Sequence, residues 1–222
     1  MHRVAVLLLE PVIGFDATIA QTLFGKATDA AGNQLYEVVT CGLTARPVRA
    51  TTGLSIVPAA GAGALATADT VVIPGTRYPP ARLHGVLGDD VAAALSTIRP
   101  GTRLVSICTG AFVLAAAGLL DGRPATTHWQ HARALRVLHP SVRVDENVLY
   151  VDDGDVLTSA GLAAGIDLCL HIIRSDHGAQ VANAVARYCV VPPWREGGQA
   201  QFIARRVPVA DKASTAATRA WA

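Results

Sequence analysis

The chain has 222 residues, of which 51% are hydrophobic, and its formal net charge is +2 at pH 7. This length and apolar content favour one α/β domain with a large core, and so small a charge argues against a chain that binds nucleic acid over its whole surface. The four cysteines show neither a C-x-x-C pair nor zinc-ligand spacing, so neither a metal site nor a disulfide framework is predicted. The apolar run near the amino terminus is too short for a signal peptide or a membrane span, and we expect a cytoplasmic protein without membrane contact.

The first hundred residues alternate between apolar runs and segments of helical periodicity. The run at 4–9 is continuous, as in a strand covered on both faces, whereas Phe15, Ile19 and Leu23 recur at helical spacing. We predict strands at 4–9, 36–40 and 70–73, helices at 15–27 and 89–98, a hairpin or extended excursion at 43–58, a flexible segment at 61–69 and a loop at 77–88. That loop is a candidate lid over a pocket.

The stretch 103–120 is predicted to be the centre of the fold. A short apolar run at 104–107 leads into Cys108, and an Ala- and Leu-rich segment of helical composition follows Thr109 and Gly110. This pattern is typical of a nucleophile elbow, in which an exposed side chain stands between the carboxyl end of a strand and the amino end of a helix. The helix amides and dipole are expected to lower the thiol pKa. The alternative interpretation of Cys108 is a small apolar residue buried in the core.

The second half of the chain continues the alternation. We predict strands at 125–128, 142–151 and 156–159, and helices at 129–138, 161–175 and 178–190. Such alternation predicts a mainly parallel sheet with helices on both faces, joined by right-handed crossovers. The expected fold is therefore a flavodoxin-like three-layer α/β sandwich that contains the strand–Cys–helix elbow.

Three candidate site residues follow three of these strands. Asp16 comes after the first strand, Gly75 after the strand at 70–73, and Cys108 after the next one. Ligands in such folds bind at the carboxyl ends of the strands, so the three residues should meet at one edge of the sheet. There the Gly75 and Thr109 N–H groups predict a two-donor oxyanion pocket. The structural alternatives are a first-turn acid of the helix for Asp16 and an ordinary turn for Gly75.

The carboxyl-terminal part departs from this pattern. Residues 191–199, VPPWREGGQ, combine Pro, Gly and charge, which is typical of an exposed connector. The residues after them have too few apolar positions for a core of their own. We therefore divide the chain into a domain at 1–190 and a linker at 191–222 that leads to a further domain.

Five segments carry a resemblance to a known family. They are FDATIAQTLF around Asp16, VVIPGT ending at Thr76, SICTGAFVLAAAGLLDGRPATTHW from Ser106 to Trp129, TSAGLAAGIDLCLHII from Thr158, and PPWREGGQAQF near the tail. With them the sequence resembles the PfpI/ThiJ-like group of the class I glutamine amidotransferase-like superfamily, and more narrowly the amino-terminal domain of AraC-type transcriptional regulators. In such regulators the last segment leads into a helix-turn-helix domain, so the resemblance implies a regulator whose DNA-binding domain is absent from this chain.

The resemblance also implies roles for individual residues. Cys108 takes the position of the nucleophile and Asp16 that of the acid that activates it, as in the isocyanide-hydrating branch, with Gly75 and Thr109 as oxyanion donors. His128 matches a histidine that relatives place near the pocket, and a hydrogen-bonded structural histidine is the alternative. Peptidase- and amidase-like branches carry a histidine where this chain has Thr109, so a Cys–His dyad is not implied.

The sequence leaves two functions open. In the first, a homodimeric sensor binds a small-molecule effector and contacts DNA only through the absent domain; its pocket is lined by Asp16, Gly75, Thr76, Cys108, Thr109 and His128. In the second, the chain is an enzyme similar to isocyanide hydratases, in which Cys108 attacks an electrophilic carbon and Asp16 transfers a proton. The connector favours the sensor, and neither function calls for a metal or another cofactor. A third alternative, oxidation sensing at Cys108, requires an exposed thiol of low pKa.

Overall fold

Six strands form the central sheet of the computed structural model, which describes residues 1–201. Across the sheet lie, in order, β2 (Tyr36–Cys41), β1 (His2–Leu7), β5 (Thr70–Ile73), β6 (Arg103–Ile107), β10 (Val156–Ser159) and β9 (Tyr150–Asp153). All neighbouring strands are parallel except the edge strand β9, which runs antiparallel to β10. Because five of the six strands are parallel, the predicted mainly parallel sheet is confirmed.

Helices cover both faces of the sheet. One hydrophobic cluster joins it to α1 (Gly14–Phe24) and α5 (Ala163–Cys189), and the other joins it to α2 (Asp89–Ser96), α3 (Ala111–Ala116) and α4 (Trp129–Leu138). Both faces are buried because apolar side chains alternate along the strands. In β1, Val4 and Val6 face the first cluster, while Ala5 and Leu7 face the second. The structure is thus the flavodoxin-like three-layer sandwich that the sequence predicts.

Helix α5 is not continuous. Gly178 has φ 85° and ψ 170°, which interrupts the helical backbone inside the span Ala163–Cys189. A glycine tolerates this conformation because it has no Cβ atom. The interruption agrees with the two separate helices predicted at 161–175 and 178–190.

The short connecting elements differ most from the predictions. The strand predicted at 142–151 is wrong, because a turn in which Asp145 accepts a hydrogen bond from the Asn147 N–H separates β8 (Arg143–Val144) from β9. Strand β8 pairs with β7 (Pro124–Ala125), which is shorter than the strand predicted at 125–128. The predicted hairpin contains β3 (Val48–Arg49) and β4 (Ser55–Ile56).

Two segments predicted as irregular contain short helical turns, and one predicted helix is shorter than expected. The segments 61–69 and 77–88 contain a 3₁₀ helix at Ala62–Thr67 and a π-helical turn at Pro80–His84. Helix α3 ends at Ala116 instead of Leu120, and Gly118, with φ 73°, follows the end of the helix.

The connector after α5 lies outside helices and strands, but it is only partly exposed. Six of the nine residues at 191–199 are exposed, as predicted, whereas the expectation is wrong for Val191, Arg195 and Gly197, which are half-buried. Gln201, beyond the connector, is buried. The prediction of a linker at 202–222 lies outside the described residues, and the domain boundary at residue 190 stays a prediction. Among residues 1–201, no helix combines the length and the apolar character that crossing a membrane requires.

Candidate functional site

The elbow at Cys108 is formed by a sharp change of backbone direction. Strand β6 ends at Ile107, Cys108 adopts φ 55°, and a 3₁₀ turn at Cys108–Gly110 leads into α3. Gly110 is required here, because a Cβ atom at this position would lie 2.1 Å from the Ile73 carbonyl oxygen. A non-glycine residue at positive φ is uncommon and strained. The surrounding packing therefore holds the thiol in one defined position.

Asp16 lies against Cys108, as the strand-end argument predicts. Its side chain is fully buried in the first turn of α1, and Oδ1 accepts a hydrogen bond of 3.1 Å from the Leu162 N–H. Oδ2 faces Gly75, where a Cβ atom would lie only 2.3 Å away. The carboxylate thus contacts three different loops at the sheet edge and does not cap its own helix.

Burial sets the ionisation of both groups. Burial raises the pKa of Asp16 to about 6, against the smaller lowering effects of the Leu162 N–H, the Cys108 thiol and the Gly75 N–H. Burial, and next the nearby Asp16 carboxylate, raises the pKa of Cys108 to about 12. The expectation of an exposed thiol of lowered pKa is therefore wrong: Cys108 is 4% exposed, and the effect of the helix amides is outweighed by desolvation.

Thr76 and Thr109 brace two neighbouring loops. The Thr109 hydroxyl accepts from the Thr76 N–H at 2.9 Å and donates to the Thr76 carbonyl at 2.7 Å, while the Thr76 hydroxyl donates to the Leu9 carbonyl at 2.7 Å. Both side chains are buried. The Gly75 N–H lies beside the Asp16 carboxylate and the Thr109 N–H beside the sulfur. The oxyanion pair stays a prediction.

His128 begins α4 next to the elbow. Its Nδ1 accepts from the Gln130 N–H at 3.3 Å, and its ring stacks on Trp129 with centroids 5.7 Å apart. Burial lowers the His128 pKa and so favours the neutral ring. The preceding residue, Thr127, donates a 2.8 Å hydrogen bond to the Cys108 carbonyl, which fixes the histidine loop to the elbow.

A cavity of about 230 Å³ lies at this edge of the sheet. Its walls include His128, Trp129, Leu149, Gly161, Arg195 and Gln201. Gly161 also touches Cys108, because a Cβ atom on this glycine would be 2.2 Å from the cysteine Cβ and 2.9 Å from the sulfur. Gly161 therefore borders both the cavity and Cys108.

A larger cavity, of about 670 Å³, lies at the opposite edge of the sheet beside His2, Asp69 and Arg99. Ligands in open α/β sheets bind at the carboxyl ends of the strands, and this cavity lies at the amino ends. We therefore place the candidate site at the smaller cavity. Within residues 1–201, no three His, Cys, Asp or Glu side chains are grouped as a metal site requires.

Two parts of the site were not predicted from the sequence. Gly161 and Leu162 come one residue after the end of β10, so the strand-end argument that identified Gly75 applies to them equally. Arg82 has no such signal: its guanidinium lies 3.9 Å from the centroid of the Phe112 ring and 3.1 Å from His131 Nδ1. Burial lowers the pKa of Arg82, and a thiolate at Cys108 would oppose this shift, so this cation lies within electrostatic range of the sulfur.

Comparisons with known proteins agree with this geometry. A model of the DJ-1/PfpI family matches residues 2–175. The chain is 32% identical over 160 residues to the HTH-type transcriptional regulator GbdR of Pseudomonas aeruginosa, covering 72% of this chain and 42% of that protein. It is 32% identical over 156 residues to isonitrile hydratase of Pseudomonas putida, covering 68% and 65%. An AraC family transcriptional regulator from Pseudomonas putida has a similar crystal structure, with TM-score 0.70 and 23% identity over 85% of this chain and 100% of that one.

Proposed function

The chain belongs to the DJ-1/PfpI family, as its motifs predict, and we propose that it is the effector-binding domain of an AraC-type transcriptional regulator. Helix-turn-helix regulators are among its relatives, and the chain spans 42% of the length of GbdR. Binding of a small-molecule effector, pairing as a homodimer, a cytoplasmic location and DNA contact through a separate domain are all part of this proposal. No cofactor is included in it.

The state of the Cys108 thiol carries the proposal. Burial, and next the Asp16 carboxylate, raises the pKa of Cys108 to about 12, so the thiol is protonated at pH 7, and the side chain is 4% exposed. Nucleophilic cysteines are accessible and have lowered pKa values. An elbow that keeps its thiol protonated and covered, beside a cavity lined by aromatic and polar groups, favours binding over covalent chemistry.

The cavity offers a small ligand both apolar and polar contacts. Leu149 and the Trp129 ring supply apolar surface, while the His128 ring and the Arg195 guanidinium supply hydrogen-bonding groups. Binding sites for small molecules commonly combine a mostly apolar lining with a few polar groups that fix orientation. We propose that the effector lies over Gly161, next to the Asp16–Cys108 pair.

A ligand screen tests this proposal. The thermal unfolding of the chain is measured with a panel of small polar metabolites, and hits are repeated with His128→Ala and with the matched control Gln130→Ala, an exposed residue on α4. A true effector raises Tm for the unsubstituted chain and the control but not for His128→Ala. The same effector should change the operator binding of the protein that is encoded by the longest reading frame containing this chain. A panel without any hit, or hits insensitive to His128→Ala, would argue against the proposal.

One observation favours a second candidate, an isonitrile-hydratase-like enzyme. The Asp16 carboxyl group lies directly beside the Cys108 thiol, as a general acid–base partner must. Similarity to isonitrile hydratase supports this alternative. It predicts turnover of isonitriles by the purified chain, abolished by Cys108→Ser and by Asp16→Asn. If neither turnover nor a covalent adduct forms, this second candidate is excluded.

A further inference from the structure

The segment that follows α5 is attached to the domain through one buried glutamine. The Gln201 side-chain oxygen accepts from the Trp129 N–H at 3.0 Å. Its amide nitrogen donates to the carbonyls of Val148 at 3.0 Å and Thr127 at 3.2 Å, and it lies 3.3 Å from the Thr126 hydroxyl. A carboxamide with its oxygen and both N–H groups engaged is fully satisfied, so Gln201 is an anchor rather than a passing contact.

Two further contacts fasten the same segment. Arg195 forms a two-pronged ion pair with Asp167 of α5, with Nε–Oδ1 at 3.0 Å and Nη2–Oδ2 at 2.5 Å, and Asp167 is buried. The Gly197 carbonyl accepts from the Leu149 N–H at 2.7 Å. A Cβ atom on Gly197 would be 2.7 Å from the Tyr150 ring, so only glycine permits this close approach. We call residues 193–201 the strap.

The strap is also a wall of the candidate site. Arg195 and Gln201 line the 230 Å³ cavity together with His128, Trp129 and Gly161, which belong to the domain itself. Gln201 therefore holds a residue of the cavity wall, Trp129. Thr127, two positions before Trp129, donates a hydrogen bond to the Cys108 carbonyl. Docking of the strap and the shape of the cavity depend on the same few groups.

We propose that the strap completes the effector site: Arg195 and Gln201 contact the effector, and molecules reach the Cys108 side of the cavity when the strap lifts. This inference rests on the proposed function and assigns a regulatory device to the same site. An effector that touches the strap binds the docked state more tightly than the lifted state, and so it shifts the population toward docking. Since linkage is reciprocal, docking strengthens effector binding by the same factor. The state of the strap, docked or lifted, then reports whether the site is occupied.

Alkylation of Cys108 tests the proposal without any effector. The complete chain and its Gln201→Ala variant are treated with iodoacetamide, and the modification of each cysteine is followed by peptide mass spectrometry. Trypsin cleavage after Arg195 reports in parallel whether the strap has been released. The matched control is Gln199→Ala, an exposed strap residue, and the fully buried Cys41 and Cys169 report general loosening of the fold.

The expected result is specific to one cysteine. Gln201→Ala leaves buried polar groups without a partner, so both cleavage after Arg195 and alkylation of Cys108 should be about tenfold faster, with Cys41, Cys169 and the control unchanged. Unchanged alkylation of Cys108 despite faster cleavage overturns the proposal, and so does unchanged cleavage. Equal acceleration of all three cysteines also overturns it, because the strap would then be an ordinary part of the core. None of these outcomes involves an effector or DNA, so they are independent of the test of the proposed function.

Discussion

The contact between Gly161 and Cys108 gives the sharpest stability prediction. Gly161→Ala introduces a Cβ atom 2.2 Å from the Cys108 Cβ and 2.9 Å from its sulfur, whereas unstrained carbon contacts are about 3.5–4.0 Å. Gly161 also has φ 88°, a conformation that costs an alanine about 1–2 kcal/mol. Overpacking of a rigid interior adds about 1–3 kcal/mol. We expect the substitution to lower the free energy of unfolding by about 2–5 kcal/mol.

Gly154 provides a matched control for the backbone contribution. It has φ 81°, and a Cβ atom there would meet nothing within 4 Å. Gly154→Ala should therefore cost only the conformational part, about 1–2 kcal/mol. The difference between the two variants isolates the clash at the elbow, and urea unfolding followed by circular dichroism measures both values.

A double-mutant cycle checks that the clash involves Cys108. Cys108→Gly removes the Cβ and sulfur atoms that the new methyl group would meet, so it should recover most of the clash contribution in the Gly161→Ala background. If Gly161→Ala alone does not fold, recovery of folding in the double variant with Cys108→Gly gives the same answer. Equal costs for Gly161→Ala and Gly154→Ala, or no coupling with Cys108→Gly, would refute the reasoning.

The remaining predictions concern the ionisation and bracing of the same site. The raised Asp16 pKa means that the unfolded chain loses this proton near pH 4 and the folded chain near pH 6, so the contribution of Asp16 to stability is lost as pH rises through this window. Relative to the unsubstituted chain, Asp16→Asn should gain about 3 kcal/mol between pH 4 and pH 7 in urea unfolding, and a constant difference would contradict the shift. Because the Asp16 charge helps to raise the Cys108 pKa, Asp16→Asn should also shift the pH profile of Cys108 alkylation to lower pH; an unmoved profile would leave burial as the sole cause. Thr109→Val leaves the buried Thr76 N–H without an acceptor and should cost about 1–3 kcal/mol, whereas a neutral effect would show that this hydroxyl does not brace the loops.

Periodicity and strand order are sufficient to place the principal site residues at one edge of the sheet. The continuous apolar runs identify buried parallel strands, and parallel strands bring their carboxyl ends together. This is why Asp16 and Cys108 could be expected to meet although 92 positions separate them in the sequence. The same rule applied to the strand at 156–159 would have included Gly161.

Other features had no signal in the local sequence. The segment 191–199 has the composition of an exposed connector, yet most of it belongs to the strap that Gln201 anchors. Gln201 is held by backbone groups of Val148, Thr127 and Trp129, which lie in other parts of the chain. The composition of the segment describes only the segment itself and contains no information about the backbone groups that hold Gln201.

The sequence by itself determined the layered α/β fold, the elbow and the edge of the sheet where the site lies, because these follow from local periodicity and from the geometry of parallel strands. Only the tertiary structure decided the chemical state of Cys108. The amino end of a helix predicts a lowered thiol pKa, but burial beside the Asp16 carboxylate raises it to about 12. Desolvation depends on every atom that surrounds the sulfur, and those atoms come from distant parts of the chain.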